Sequence, residues 1–171
     1  MDAHIFKHTD RRDLPFILAV AILGSLNHFL YDWTGGSSLA ALFCPINESP
    51  WEHLKLLFFP FLFVTLWTAL YRFRDRRFFY CRFLGVVCGM AFTLVTFYTY
   101  TGIWGSHALI LDLLIFFLGV VLSFSAARFF FRALKQIPSA NVIFTLWGAG
   151  IFFFFVFTCF PPGIPLFFPY A

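Results

Sequence analysis

Val142–Phe160 reads VIFTLWGAGIFFFFVFTCF, a run without a single charged residue. A helix needs about 20 apolar residues to cross a hydrocarbon core about 30 Å thick, and this run is of that length. In lipid no water can satisfy the backbone, so such a run has to be helical. Four comparable segments lie upstream: Leu14 to about Tyr31, Trp51 to about Tyr71, Phe78 to about Tyr100, and Ser106 to about Phe131. The chain of 171 residues is 61% hydrophobic, holds 29 Phe and is only 12% charged. Soluble domains carry about 25% charged residues. A core of this size cannot hide that much apolar surface, so the solvent is lipid. The expected fold is all-α: a polytopic transmembrane bundle of five spanning helices forming one integral membrane domain over residues 1–171. The Phe152–Phe155 block is expected to face lipid or fill the core.

The connections set the topology. Lys7, Arg11 and Arg12 precede the first segment; Arg72, Arg74, Arg76, Arg77 and Arg82 lie at the second connection; Arg128, Arg132 and Lys135 lie at the fourth. In a five-helix path these all fall on one side, which the bias of Lys and Arg makes cytoplasmic. The N-terminus is then inside and the C-terminus outside. Residues 34–50 are expected to be an outer loop, Gly102–Gly105 a tight turn, and the Pro-rich tail PPGIPLFFPYA either interfacial or folded back onto the protein. No basic run is interleaved with polar residues, which excludes a nucleic-acid partner. Leu14 onward lacks a small-residue cleavage site, so the first segment is expected to remain as an anchor. The four Cys form no CxxC. Cys44 and Cys159 share the outer side, and a disulfide between them is an alternative that geometry decides.

Ionisable residues converge on the outer side. Asp32, Glu48, Glu52, Asp112, Lys55, His28, His53 and His107 all map there. Ser49-Pro50-Trp51-Glu52 has the form of a helix start, with Ser49 at the cap, Pro50 in the first turn and Glu52 closing a capping box. Pro60 is expected to kink the second helix and free the carbonyl of Leu56. His28 and Asp32 are four apart and share a helical face. Asp112 is read as six residues inside the fourth helix, about 9 Å deep, on a stripe with Gly119 and Ser123. An acid there is costly and calls for a partner or a function. His107, five residues earlier, is expected on another face of that helix, at its mouth. Gly85, Gly89, Thr93, Thr96 and Tyr100 form a matching stripe on the third helix, with a GxxxG that allows close packing.

His28-Phe-Leu-Tyr31-Asp32, Pro45-Ile-Asn47-Glu48-Ser49-Pro-Trp51-Glu52-His53-Leu-Lys55, Tyr100-Thr-Gly102 with Asp112, and Pro161-Pro162 through Phe167 together resemble a family of small multi-pass bacterial membrane proteins of unknown function. Its most specific piece is NES-x-WEH-x-K. The resemblance implies an integral protein of the bacterial cell membrane and no particular activity.

Three functional readings follow. The leading one is a metal-dependent hydrolase or transferase embedded in the membrane, acting on a lipid or lipid-linked substrate. His28, His53 and His107, with Glu48, Asp32 or Asp112 completing or orienting the shell, are the candidate metal ligands, and the donor set suits zinc. Glu48 or Glu52 is the candidate base, and Lys55 the candidate anion holder. The second is a small transporter or binding subunit using Asp112 and His28, which with five helices and no repeat needs an oligomer or partner. The third is a structural membrane protein whose polar groups pair with one another.

Overall fold

A computed structural model describes residues 13–71 and 75–169. The basic residues Lys7, Arg11, Arg12, Arg72 and Arg74 lie outside these. The described residues form helices α1 (Leu14–Trp33), α2 (Ser38–Phe43), α3 (Pro50–Tyr71), α4 (Arg76–Trp104), α5 (Leu109–Ala133) and α6 (Ala140–Cys159), then a 3-10 turn at Pro165–Phe167, with no strand among them. All but α2 and the 3-10 turn are long and apolar enough to cross a membrane, which fits a multi-pass membrane protein.

Helix α3 is the centre. In its spanning window 72% of residues are buried, against 17% in α1 and α6. Phe58, Phe59 and Phe61 are fully enclosed, and Phe58 and Phe59 meet Phe154 of α6. The Phe152–Phe155 block therefore divides, with Phe154 in the core while Phe152 and Phe153 are exposed. Exposed Leu, Ile, Phe and Trp side chains clothe α1, α5 and α6, as lipid-facing surfaces require.

Helices α4 and α5 pack most closely. Gly89 lies against Gly119 and Ser123, and a Cβ added at Gly89 would stand 2.6 Å from the Gly119 carbonyl oxygen. Gly85 meets the backbone of Ser123 in the same way. The glycine stripe read from the sequence is thus the α4–α5 seam.

Long-range contacts fix an up-and-down path. Asp13 at the start of α1 pairs with Arg128 near the end of α5 at 3.3 Å. The Trp147 indole on α6 donates to the Phe79 carbonyl of α4 at 3.2 Å. At the opposite end, Thr158 of α6 reaches Glu52 of α3. The end of α1, the starts of α3 and α5, and the ends of α4 and α6 therefore share one end of the bundle. The tail folds back there, with Phe167 buried against Trp51 and Phe157.

Three local expectations need correction. The connection over residues 34–50 contains α2, a helix of six residues. Helix α4 runs through Gly102 and ends at Gly105, whose positive φ of 73° gives the C-terminal cap a left-handed residue. Helix α5 begins at Leu109, because Ala108 is extended. Asp112 therefore sits in the first turn of α5, about 5 Å from its start, and not six residues deep.

Candidate metal centre

The start of α3 builds the site. Ser49 Oγ accepts from the Glu52 N–H at 3.3 Å, and Ser49 N–H donates to Asn47 Oδ1 at 2.9 Å. The cap read from the sequence is present, but its reciprocal half differs, since Asn47 and not Glu52 satisfies the Ser49 N–H. Asn47 and Ser49 are thus both tied locally, and Glu48 between them is presented outward with its side chain 70% exposed.

His53 stands one turn along. Its backbone N–H and its ring Nδ1 both lie within hydrogen-bond distance of the Ser49 carbonyl oxygen, at 3.1 and 3.0 Å. A carbonyl can only accept, so Nδ1 keeps a proton. Nε2 faces Glu48, donates to its carboxylate in the metal-free protein, and would give up that proton to bind a metal. That Nε2 lies 3.2 Å from Glu48 Oε2. His28 of α1 brings its Nε2 to 3.8 Å from Glu48 Oε1, and the two imidazole centroids are 5.4 Å apart. One donor atom from each of His28, Glu48 and His53 falls within 4.8 Å of the others. Ligand atoms around a tetrahedral zinc are about 3.3 Å apart, so small side-chain rotations would close the set. The hydrogen bond from His53 holds the Glu48 carboxyl below its usual value, against a smaller opposing effect of burial, with the charges of His53, His28 and His107 acting in the same direction as the bond.

A packing layer sets the level of these groups. Gly24 of α1 touches both the carbonyl oxygen of Leu56 on α3 and the Phe116 ring of α5; an added Cβ would stand 2.5 Å from the first and 2.6 Å from the second. The Leu56 carbonyl is the one that Pro60 deprives of its helical donor, and only a glycine lets α1 come so close to it. Toward the site end of the bundle, His28 lies four residues from Gly24, His53 three from Leu56, and Asp112 four from Phe116. Each is therefore about one turn from the layer along its own helix.

Asp112 has its own partners. The Tyr100 hydroxyl donates to its Oδ1, and that hydroxyl accepts from the Ala108 N–H at 3.3 Å. His107 Nδ1 is 3.2 Å from the other carboxylate oxygen. His107 precedes α5 in the extended segment, so it can turn onto Asp112. The separate helical faces expected from the sequence do not apply, since His107 is not helical. Asp32 is exposed and stands apart from the His28–Glu48–His53 group.

Glu52 and Lys55 turn inward. Their side chains are 4% and 0% exposed, and Lys55 Nζ is 2.7 Å from Glu52 Oε2. Lys55 also donates to the carbonyls of Ala41 and Cys44 at 2.8 and 3.2 Å. Glu52 accepts from the Ile46 N–H at 3.1 Å and from the Thr158 hydroxyl at 3.1 Å. The pair stitches α2, the following loop and α6 onto α3. All four Cys are free thiols, with Cys44 buried and Cys159 exposed.

The chain matches a family of unknown function, DUF6512, over residues 1–170. It belongs to that family. No curated protein and no solved structure matches it. The structure brings His28, Glu48 and His53 together, and His107 with Asp112. Sequence reasoning missed Tyr100 as a partner of Asp112; its place on the Gly85–Gly89–Thr93 stripe was the available signal.

Proposed function

We propose that this protein is a membrane-embedded hydrolase or transferase that binds zinc between His28, His53 and Glu48 and acts on a lipid or lipid-linked substrate at the outer face of a bacterial cell membrane. The observation that carries the reading is the convergence of three donor atoms from α1, the α2–α3 loop and α3, with Ser49 occupying His53 Nδ1 so that Nε2 is the nitrogen turned to the cluster. Two His and one Glu are an established donor set for catalytic zinc, leaving a fourth position for water or substrate. A backbone carbonyl holding the second nitrogen is the usual device that orients such a ligand.

The distribution of Lys and Arg supports the orientation. The opposite end of the bundle carries the basic connections, so by the positive-inside rule this end is external. Exposed Trp33 and Trp104, at the ends of α1 and α4, suit the headgroup layer, where indole rings accumulate. An apolar groove lined by Leu94, Tyr98, Ile164 and Leu166 lies at the same end and suits an acyl chain.

In this reading Glu48 is a ligand, Glu52 and Lys55 hold the scaffold, and Asp112 and His107 stand beside the metal. The test uses zinc-loaded protein in lipid nanodiscs containing a bacterial lipid extract, followed by mass spectrometry. A zinc-dependent loss of one lipid class, abolished by chelator and by His53→Ala, is the expected result. An unchanged lipid profile, whatever the zinc content, would overturn the enzymatic assignment.

A further inference from the structure

We propose that His107, oriented by Asp112 and Tyr100, is the proton-transfer group for an ester-cleaving reaction at the His28–Glu48–His53 centre. The inference rests on the zinc-enzyme reading and deepens it. A two-His, one-Glu site needs a base that is not itself a ligand. Glu48 is taken up as a ligand, and Glu52 is closed into its pair with Lys55. The remaining carboxylate at this end with a built environment is Asp112.

The hydrogen bonds converge on the Asp112 carboxylate. The Ala108 N–H donates to the Tyr100 hydroxyl, which donates to Asp112 Oδ1. Asp112 Oδ2 then receives Nδ1–H of His107. A carboxylate holding Nδ1–H stabilises the imidazolium and makes Nε2 the nitrogen that exchanges protons. The His107 side chain is 56% exposed, so substrate and water can reach it. Gly24 meets Leu56 and Phe116, and His28, His53 and Asp112 each lie about one turn from that contact along their own helices, toward the same end of the bundle. The charge of His107 is felt at Glu48, which sets the two groups in one electrostatic neighbourhood.

Water gives one proton to His107 Nε2, and its oxygen bonds to the carbon or phosphorus of the ester. The bond to the alcohol oxygen breaks, and the departing alkoxide takes the proton from His107. No oxidant or further reactant is needed. His107 touches the reacting atoms, whereas Asp112 and Tyr100 are positioning residues.

The experiment measures zinc content and turnover together on purified protein in nanodiscs. The probes are p-nitrophenyl butyrate and bis(p-nitrophenyl) phosphate, which separate carbon from phosphorus esters. Zinc-loaded wild type is expected to cleave one of them. His107→Gly is expected to lower kcat about 100-fold with zinc content and KM unchanged, and added imidazole to restore turnover. Asp112→Asn is expected to lower kcat without loss of zinc. Unchanged kcat in His107→Gly, loss of its zinc, or failure of imidazole to rescue it would overturn the assignment of His107 while leaving the zinc site standing. Zinc-loaded wild type that cleaves neither probe would overturn the ester chemistry, and wild type without zinc would overturn the underlying reading itself.

Discussion

His53 Nδ1 lies 3.0 Å from the carbonyl oxygen of Ser49, the same oxygen that accepts the His53 backbone N–H. This arrangement keeps Nδ1 protonated and fixes the orientation of the ring, with Nε2 turned toward Glu48. It follows from the cap: Ser49 starts α3, its carbonyl points along the helix, and a residue four positions on can reach it. In the proposed zinc site, an imidazole held in this way would be oriented before the metal arrives.

Replacement of His53 by Gln tests this preparation. The amide can imitate part of the contact with Ser49 but offers no imidazole donor. His53→Gln should retain the fold, judged by gel filtration and circular dichroism, while its affinity for zinc falls at least tenfold in competition with a chromogenic chelator.

The Glu52–Lys55 pair is expected to matter for folding. Both charges are buried, and their additional hydrogen bonds go to α2, to the loop after it and to α6. Removing one partner of such a pair leaves the other charge uncompensated and costs about 3–5 kcal/mol. Lys55→Met and Glu52→Gln should each lower the apparent melting temperature in detergent, and Lys55→Met combined with Glu52→Leu should recover part of the loss. A single mutant as stable as wild type would show that the pair is dispensable.

Metal-free protein should show a Glu48-dependent acid limb of stability. The His53 hydrogen bond depresses the Glu48 carboxyl from its ordinary value of 4.5. A depressed carboxyl contributes stability that is complete above its unfolded value and is lost as the pH falls through its lower folded value. Stability should therefore decline below about pH 4.5, and the decline should be shallower in Glu48→Gln. With the side chain 70% exposed, solvent screening keeps the effect small. Denaturation curves across the acid range, recorded with chelator present, measure it.

The α4–α5 seam should not tolerate side chains. Gly89→Leu would drive atoms into Ser123 and the Gly119 backbone, and overpacking of this kind costs about 1–3 kcal/mol or more. Poor recovery of monodisperse protein is expected, in contrast to Gly102→Leu, where an added Cβ meets nothing within 4 Å.

The five helices long and apolar enough to cross a membrane were legible in the sequence because each is a long apolar run with charged or Gly/Pro ends. Their boundaries were less so. Ser106-His107-Ala108 carries no strong helix-breaking signal, yet Ala108 is extended, and this moved Asp112 to the first turn and freed His107 to reach it. Helix α2, SLAALF, is too short to show a period. Within the site, Glu48 and His53 were legible as a motif because the helix cap fixes their local geometry. Lys55 and Glu52 were legible as an i,i+3 pair, but their burial depends on α2 and Thr158 folding over them, a long-range fact. Tyr100 became part of the story only through the antiparallel register of α4 against α5, which spacing along one helix does not reveal.

The most direct test of the central claim is the zinc content of protein purified from zinc-supplemented cells and measured by inductively coupled plasma mass spectrometry. Wild type should hold about one zinc per chain; His28→Ala, His53→Ala and Glu48→Ala should each hold well under half of that; and His107→Gly should retain it. Wild type without bound zinc, or His28→Ala and His53→Ala variants that keep it, would contradict the account.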